Sequence, residues 1–370
     1  VKKTLLAAKH SDRLAHAYLF YGGEGVGKDA MALEFARVLR CETGSDEACG
    51  VCRSCHQMAS LQHPDVRLIV PLPTGKGEED SDDPMAKLTE SDVQSVQEQL
   101  RLKAENPYYR VQIPRANVIK INSIREIRRE SSFSTSDNRT RVYIISGADA
   151  MNDAAANTLL KTLEEPPGDT MLILTTSRRE SLLPTILSRC QNVRFDPLTE
   201  EEIAGALTER NGVPAEQASL CSRLANGSYT RAQELLQEDV MAQRQDVVEF
   251  IRNIIRPKVL DVTAAIDRIA DTKDRDIQTR FLTLMLFWFR DALVLSHGGE
   301  VINTDQVDTL RNFLVKFPSA DLLGAMADVE KAISLVGRYA YIKLVLLQLA
   351  VRLRHAIVDR GSGEAPGLSS

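Results

Sequence analysis

No stretch of this sequence is apolar for long enough to cross a bilayer. A spanning helix needs about 20 consecutive apolar residues. The best candidate, FLTLMLFWF (Phe281 to Phe289), is short and runs into Arg290 and Asp291, so it predicts a buried helix. Excess positive charge is missing as well, with 46 Lys and Arg against 51 Asp and Glu, a formal net charge of -5. That balance excludes a strongly basic, free-standing nucleic-acid binder. Any DNA contact must come from a local patch or through partners. There is no repeat of fixed period and no secretory signal pattern, so a cytoplasmic, membrane-free protein is expected. Val1 stands first in place of Met and enters a helix-like stretch at once, so we expect residues ahead of it.

The length of 370 residues suits two or three domains. The first half alternates short apolar runs with amphipathic stretches. AYLFYGG, DVRLIVPL, RVYIISG and TMLILTTS read as strands, while KDAMALEFARVLRC and AAANTLLKTLEEPP read as helices. Such alternation predicts an α/β domain with a mostly parallel sheet covered on both faces. Between about 71 and 115 the pattern dissolves. PTGKGEEDSDDP reads as a mobile loop, and LTESDVQSVQEQLRLKAE as an exposed helix capped by Thr89 or Ser91. We treat 71–115 as an insertion at a sheet edge. After Phe195 only helices are expected, the first capped by Thr199 and closed by Gly212. The expected division is an α/β domain over 1–196, a small helical domain over 197–240, a larger helical domain over 241–360 and a disordered tail over 361–370.

YGGEGVGKDA (Tyr21 to Ala30) has the layout of a phosphate-binding loop, G-x-x-x-x-G-K-[ST], between a strand and a helix. Gly22, Gly27 and Lys28 are in place. Backbone N–H groups and the helix dipole would cradle phosphates, and Lys28 would meet them. Asp29 breaks the pattern, because a neutral hydroxyl should hold magnesium there. A carboxylate about 5 Å from a phosphate charge, at an effective dielectric near 20, costs roughly 3 kcal/mol, or about two decades of affinity. Magnesium bound directly by the carboxylate would offset part of this. Asp29 can also be read as no more than a good N-terminal helix residue, which likewise predicts weak nucleotide use. The strand RVYIISG should end in Asp-Glu in an ATPase of this kind, one acid for magnesium and one to activate water. Ser146 and Gly147 stand there instead, and Asp149 and Asp153 come too late to replace them.

Cys41, Cys49, Cys52 and Cys55 form C-x7-C-x2-C-x2-C. Four soft thiolates without a gap for water suit a closed, structural zinc site. The rival is an iron–sulfur cluster, but that pattern needs a further Cys followed by Pro just downstream, and none follows. His56 and His63 are possible but unneeded substitutes. Cys190 and Cys221 lie apart and are expected as buried thiols.

NTLLKTLEEPPGDTMLILTTS (Asn157 to Ser177) followed by LLPTILSRCQNVRF (Leu182 to Phe195) resembles the bacterial clamp loader, the AAA+ assembly of DNA polymerase III that opens sliding clamps. The resemblance covers nearly all of the chain outside the insertion. It implies an AAA+ P-loop-like domain carrying a zinc module at about 41–63, then a lid domain and an oligomerising collar. Two subunit types share these motifs. The motor (gamma/tau) keeps an intact loop and the Asp-Glu pair. The stator (delta-prime) type is often degenerate at both, and Asp29, Ser146 and Gly147 side with it. YIKLVLLQLAVRL (Tyr341 to Leu353) is similar to the last collar helix of that type.

The resemblance makes Arg189 of Ser188-Arg189-Cys190 an arginine finger that reaches ATP held by a neighbouring motor subunit. A fixed guanidinium on a γ-phosphate stabilises the charge of the transferring group. The plain alternative is a local salt bridge. NGSYTRAQELL (Asn226 to Leu236) matches the sensor-2 region, with Thr230 where glycine is usual and Arg231 on the arginine; contact with nucleotide and domain packing are equal alternatives. Arg125, Arg128 and Arg129 lie at helical spacing on one side and, by the resemblance, near the chamber for primer–template DNA. Phosphate tracking competes there with a solvated basic face, diluted by Glu126 and Glu130. Implied partners are gamma/tau and delta subunits, the sliding clamp and, through the assembly, primer–template DNA. Two other readings stay open, an active gamma/tau-type motor with a variant magnesium site and a zinc-dependent DNA-binding module.

Overall fold

A computed structural model describes residues 1–11, 13–75, 77, 79, 83–131, 139–237, 240–256, 259–272, 275–299, 301, 303–337 and 340–358. The expected tail at 361–370, and part of the acidic run in the insertion, lie outside these. Two compact units divide at Gln233 and Glu234.

In the first unit, α1 (Lys2–His10) leads into β1 (Ala17–Gly22), the phosphate-loop candidate and α2 (Lys28–Arg40). The cysteine segment ends in α3 (Arg53–Ala59), followed by β2 (Val66–Ile69), α4 (Glu90–Glu105), α5 (Ile121–Ser131) and β3 (Arg141–Ile145). Then come α6 (Asp153–Glu164), β4 (Thr170–Thr176), the short α7 (Pro184–Leu187) and β5 (Gln191–Phe195). Three further helices, α8 (Glu200–Asn211), α9 (Ala215–Leu224) and α10 (Tyr229–Gln237), follow. The sheet order is β2-β3-β4-β1-β5, and every pairing is parallel.

Both sheet faces are covered, as a parallel sheet requires. Ala17, Leu19, Tyr143, Ile145, Leu172 and Leu174 point to one side and pack with α5, α6 and α7. Their strand neighbours Tyr18, Phe20, Val142, Ile144, Met171 and Ile173 point to the other and pack with α1 and α2. This two-residue alternation is why β4 is buried along its whole length. It is the mostly parallel α/β sheet covered on both faces that the sequence leads one to expect. Helix α6 stops at Glu164, just before Pro166-Pro167. Helix α8 has a capping box, in which Thr199 Oγ1 accepts from Glu202 N and the Glu202 carboxylate accepts from Thr199 N. Gly212, left-handed at φ 65°, ends it.

The described residues of the insertion are more structured than its composition predicts. Helix α4 starts at Thr89, whose hydroxyl accepts from Asp92 N. It is not simply an exposed helix, because Asp92, Val96 and Lys103 are buried along it. Val70, Leu72, Val96 and Ile113 form a small core of their own, joined by Met85, Leu88 and Leu100. Two apolar residues four apart on α4, Val96 and Leu100, dock it.

The second unit is helical, with α11 (Val240–Ile255), α12 (Val259–Asp271), α13 (Arg275–Ser296), α14 (Val307–Lys316), α15 (Leu322–Gly337) and α16 (Ile342–Ile357). FLTLMLFWF lies inside α13, where Leu282, Met285, Trp288 and Phe289 are buried. Trp288 packs edge-on against Phe289 and Phe313, as core. Among the described residues no helix is long and apolar enough to cross a membrane. Leu344, Leu347 and Val351 nevertheless form an exposed apolar stripe along α16, with Tyr341 at its start.

Candidate functional site

The loop between β1 and α2 is shaped by glycines that have no substitute. Gly22 lies so close to β5 that a Cβ would stand 2.1 Å from Phe195 O. Gly25, at φ 74°, would put a Cβ 2.0 Å from Ser228 Oγ, at the turn into α10. Tyr229 N and Thr230 N both donate to Gly25 O, so α10 starts directly on the loop. Gly27 caps α2 in the left-handed region at φ 92°.

Lys28 is buried and folded onto the loop. Its ammonium donates to Gly22 O (2.9 Å), Gly23 O (2.5 Å) and Ser177 Oγ (3.1 Å). Burial pushes its pKa down, although Asp29 and Glu24 oppose this. Asp29 is held on both oxygens. Its Oδ1 accepts from Thr175 Oγ1 at 2.6 Å, and its Oδ2 from Ser146 Oγ at 2.7 Å and Lys103 Nζ at 3.3 Å. Burial works to raise the Asp29 pKa. The Lys103 charge and the hydroxyls of Thr175 and Ser146 outweigh it and hold the carboxyl below its usual range.

The two irregular positions of the sequence therefore touch. An ATPase of this fold has a hydroxyl on the loop and a carboxylate on the strand. Here the carboxylate is on the loop and the hydroxyl on the strand, joined by one hydrogen bond. Gly147, at φ 67°, contributes its N–H to Thr175 Oγ1 and no side chain. Asp149 accepts from Thr176 Oγ1 and Arg178 Nε, and the exposed Asp153 opens α6. Neither replaces the missing acid. A cavity of about 560 Å³ beside the loop is lined by Lys28, Asp29, Lys103, Ser146, Asp149 and Thr230 among others. Thr230, not Arg231, is the α10 residue lining it among the described residues. The carboxylate in the metal corner already accepts from an ammonium and two hydroxyls, so a magnesium ion there would compete with Lys103 for it.

Arg189 follows α7 and is 35% exposed. Its guanidinium bonds Glu164 Oε1 at 2.7 Å and Thr185 O at 3.0 Å, so within the chain it makes the local salt bridge. Glu164 belongs to the LEEPP run, so this pair joins that run to Ser188-Arg189-Cys190. Arg125, Arg128 and Arg129 all face solvent on α5, opposite the buried Ile124 and Ile127. Glu126 dilutes that face directly, pairing with Arg129 at 3.3 Å, and both Glu126 and Glu130 also pair with Arg67 of β2.

The sulfurs of Cys41, Cys49, Cys52 and Cys55 lie within 4.8 Å of one another. Four sulfurs about 2.3 Å from a tetrahedral ion stand about 3.8 Å apart, so the set fits zinc after a small contraction. Backbone N–H groups already point at them, from Cys49 to Cys41 Sγ, Cys52 to Cys49 Sγ and Cys55 to Cys52 Sγ. Such donors favour thiolate, the form that binds metal. The cluster contains neither His56, which is exposed, nor His63, whose Nδ1 accepts from Asp65 N. Cys190 and Cys221 are buried thiols, and burial raises the pKa of Cys190 to about 12.

Sequence reasoning missed Lys103, Thr175 and Tyr108. Lys103 left a trace, because it lies seven residues after Val96 on the buried side of α4, an apolar position held by a cation. Thr175 left another, as a hydroxyl near the end of a fully buried strand.

Comparison with known proteins follows the same lines. The model of a family described as DNA polymerase III, delta subunit, matches residues 1–199. DNA polymerase III subunit delta' of Bacillus subtilis (strain 168) is 32% identical over 302 residues, covering 81% of this chain and 78% of that protein. Subunit tau of the same organism is 27% identical over 362 residues, 89% of this chain and 55% of tau. Among solved structures, a DNA polymerase III gamma subunit-related protein of Thermotoga maritima has a TM-score of 0.43 at 15% identity, covering 95% of this chain and 99% of that one.

Proposed function

Because this chain belongs to the family of DNA polymerase III delta-prime subunits, we propose that it is the stator of an AAA+ clamp loader, a subunit that hydrolyses no ATP itself. It lends Arg189 to the ATP held by a neighbouring gamma/tau motor subunit. Through that assembly it supports loading of the sliding clamp onto primed DNA. The observation that carries the reading is the Asp29–Ser146 hydrogen bond. It puts carboxylate and hydroxyl on the wrong sides of the metal corner, and no acid remains where water would be activated.

Other features take roles consistent with this. The Arg189–Glu164 pair is exposed, and such pairs contribute about 0–1 kcal/mol, so a neighbour's phosphate can capture the guanidinium at little cost. Helices α8 to α10 form the lid. The second unit forms the collar, with the α16 stripe as a surface for neighbouring subunits. Cys41, Cys49, Cys52 and Cys55 hold one structural zinc, and Arg125, Arg128 and Arg129 face primer–template DNA. Gamma/tau and delta subunits are the direct partners.

The test is Arg189→Ala in a loader reconstituted with gamma/tau and delta subunits. An arginine finger in trans is worth roughly 10³–10⁵ in kcat at the site it serves. We expect a large loss of DNA-stimulated ATPase from a substitution in a chain without turnover of its own. Unchanged activity would reduce Arg189 to its local bridge. The motor reading is tested on the isolated chain, where micromolar ATP binding with turnover would replace the stator reading.

A further inference from the structure

The geometry points to the nucleotide cleft having an internal ligand, in which Lys103 stands in for the metal ion and the 106–110 segment for the nucleotide that would join loop to lid. The insertion, whose purpose the sequence leaves open, supplies both. This goes beyond the stator reading and does not depend on Arg189 or on any partner.

The cation comes first. Lys103 lies in the last turn of α4, with its side chain 3% exposed. Its ammonium is held 2.8 Å from Tyr109 O and 3.3 Å from Asp29 Oδ2. A partly buried carboxylate, here 25% exposed, gains from a counter-charge, and in an ordinary loop of this kind the metal corner receives a divalent ion. Here the chain brings a permanent ammonium there, 74 residues further along. Thr175 and Ser146 complete the donor set on the same carboxylate.

The bridge comes second. Past α4 the chain crosses from the loop to helices α8–α10 and bonds each side. On the loop, Tyr108 lies against Gly27, where an added Cβ would stand 3.3 Å from its ring, and Arg110 pairs with Glu24 at 2.9 Å. On the helices, Tyr108 O accepts from Thr230 Oγ1 at 2.8 Å, and Asn106 Nδ2 donates to Gln233 Oε1 at 3.0 Å. The Tyr108 ring packs edge-on to Tyr229 with centroids 4.7 Å apart, and the Arg210 guanidinium sits 5.4 Å from its centre. The cleft's two walls are thus joined by groups that the chain itself supplies. The position of α8–α10 on the loop is then independent of nucleotide.

Two measurements on the full chain test this. In thermal melts with and without 10 mM magnesium, the parent should show no shift. Lys103→Ala and Lys103→Met, which bare Asp29, should gain a magnesium-dependent rise of roughly 2–4 °C, as expected for millimolar binding to a unit of this size. Adding Asp29→Ala to either variant should abolish the rise. The methionine variant keeps the buried stem, so packing loss alone does not decide the result. Hydrogen exchange at the amides of Tyr229 and Thr230, which donate to Gly25 O, should speed at least tenfold in Asn106→Ala/Tyr108→Ala. A magnesium-dependent rise in the parent, or none in both Lys103 variants, overturns the role of Lys103. Unchanged exchange overturns the bridge. Either result leaves the Arg189 test standing.

Discussion

Two ion-holding corners lie close together in this sequence and solve opposite problems. At Cys41, Cys49, Cys52 and Cys55, four donors converge, with backbone N–H groups on three of the sulfurs and the Arg37 side chain at Cys55. At Asp29 a carboxylate meets a cation the chain itself provides, and two hydroxyls finish the set. The first corner is a donor set that fits a metal ion, and the second already holds a cation of the chain. Ligand number alone does not separate them. What separates them is how far the fold has already supplied the opposite charge, one guanidinium for four sulfurs against one ammonium for one carboxylate.

The largest effect should follow from taking away what the first corner lacks. Purified protein should carry one zinc per chain, and a strong chelator or Cys52→Ser should remove it. Structural zinc binding is worth on the order of 10 kcal/mol in small metal-dependent folds and is folding energy there. We therefore expect segment 41–63 to lose protection from exchange and protease, with a fall in Tm of several degrees, while the sheet remains. Iron with visible absorbance in place of zinc would reverse the assignment. A metal-free protein with the segment intact would erase the contrast between the corners.

At the second corner the effect should be smaller and internal. Asp29→Ala leaves Lys103 buried without its partner. Breaking a buried pair from one side costs about 3–5 kcal/mol, toward the lower end here because Asp29 keeps a quarter of its side chain exposed. Asp29→Ala/Lys103→Met should recover part of the loss in denaturant melts, since apolar groups of similar volume replace buried pairs well. Acid offers a second measure. A carboxyl whose pKa is lower folded than unfolded lends stability above the unfolded value, near 3.9. It loses that stability as pH falls through the lower folded value. Below about pH 4 the parent should therefore lose stability faster than Asp29→Asn. Metal loss in acid is common to both proteins and cancels in the comparison. Parallel curves would mean that Lys103 does not hold Asp29 as described.

The sequence made the first corner legible and only half of the second. Cysteines within fifteen residues meet through local turns, so spacing predicts the cluster. Four of the five strands, the loop, the Thr199 cap and the Gly212 stop are equally local and legible, whereas β5, with its alternating polar residues, is not. Asp29 and Ser146 were each visible as departures from a pattern, yet their contact spans 117 residues and needs β3 beside the loop. Lys103 was hidden more deeply, because the composition of 71–115 suggested a loop with an exposed helix. A few apolar residues, Val96 and Leu100 against Val70, Leu72 and Ile113, were enough to bury α4. Once buried, the helix could deliver a lysine to a site that its own sequence neighbourhood says nothing about.

The smallest expected effect concerns Arg189 in the isolated chain, and it sharpens the contrast by supplying a third kind of charged pair. Arg189 and Glu164 are 35% and 50% exposed, far more than Lys103 at 3%. Solvent screens such a pair, and ordering two long side chains cancels much of its attraction. Arg189→Ala and Glu164→Ala should each change stability by no more than about 1 kcal/mol, and a double-mutant cycle should give a coupling of a few tenths. The same cycle on Asp29 and Lys103 should give a coupling several times larger. That ordering separates a guanidinium free to leave its partner from an ammonium locked in place. A strong Arg189–Glu164 coupling would mean that the arginine is committed to its own chain and poorly suited to serve a neighbour.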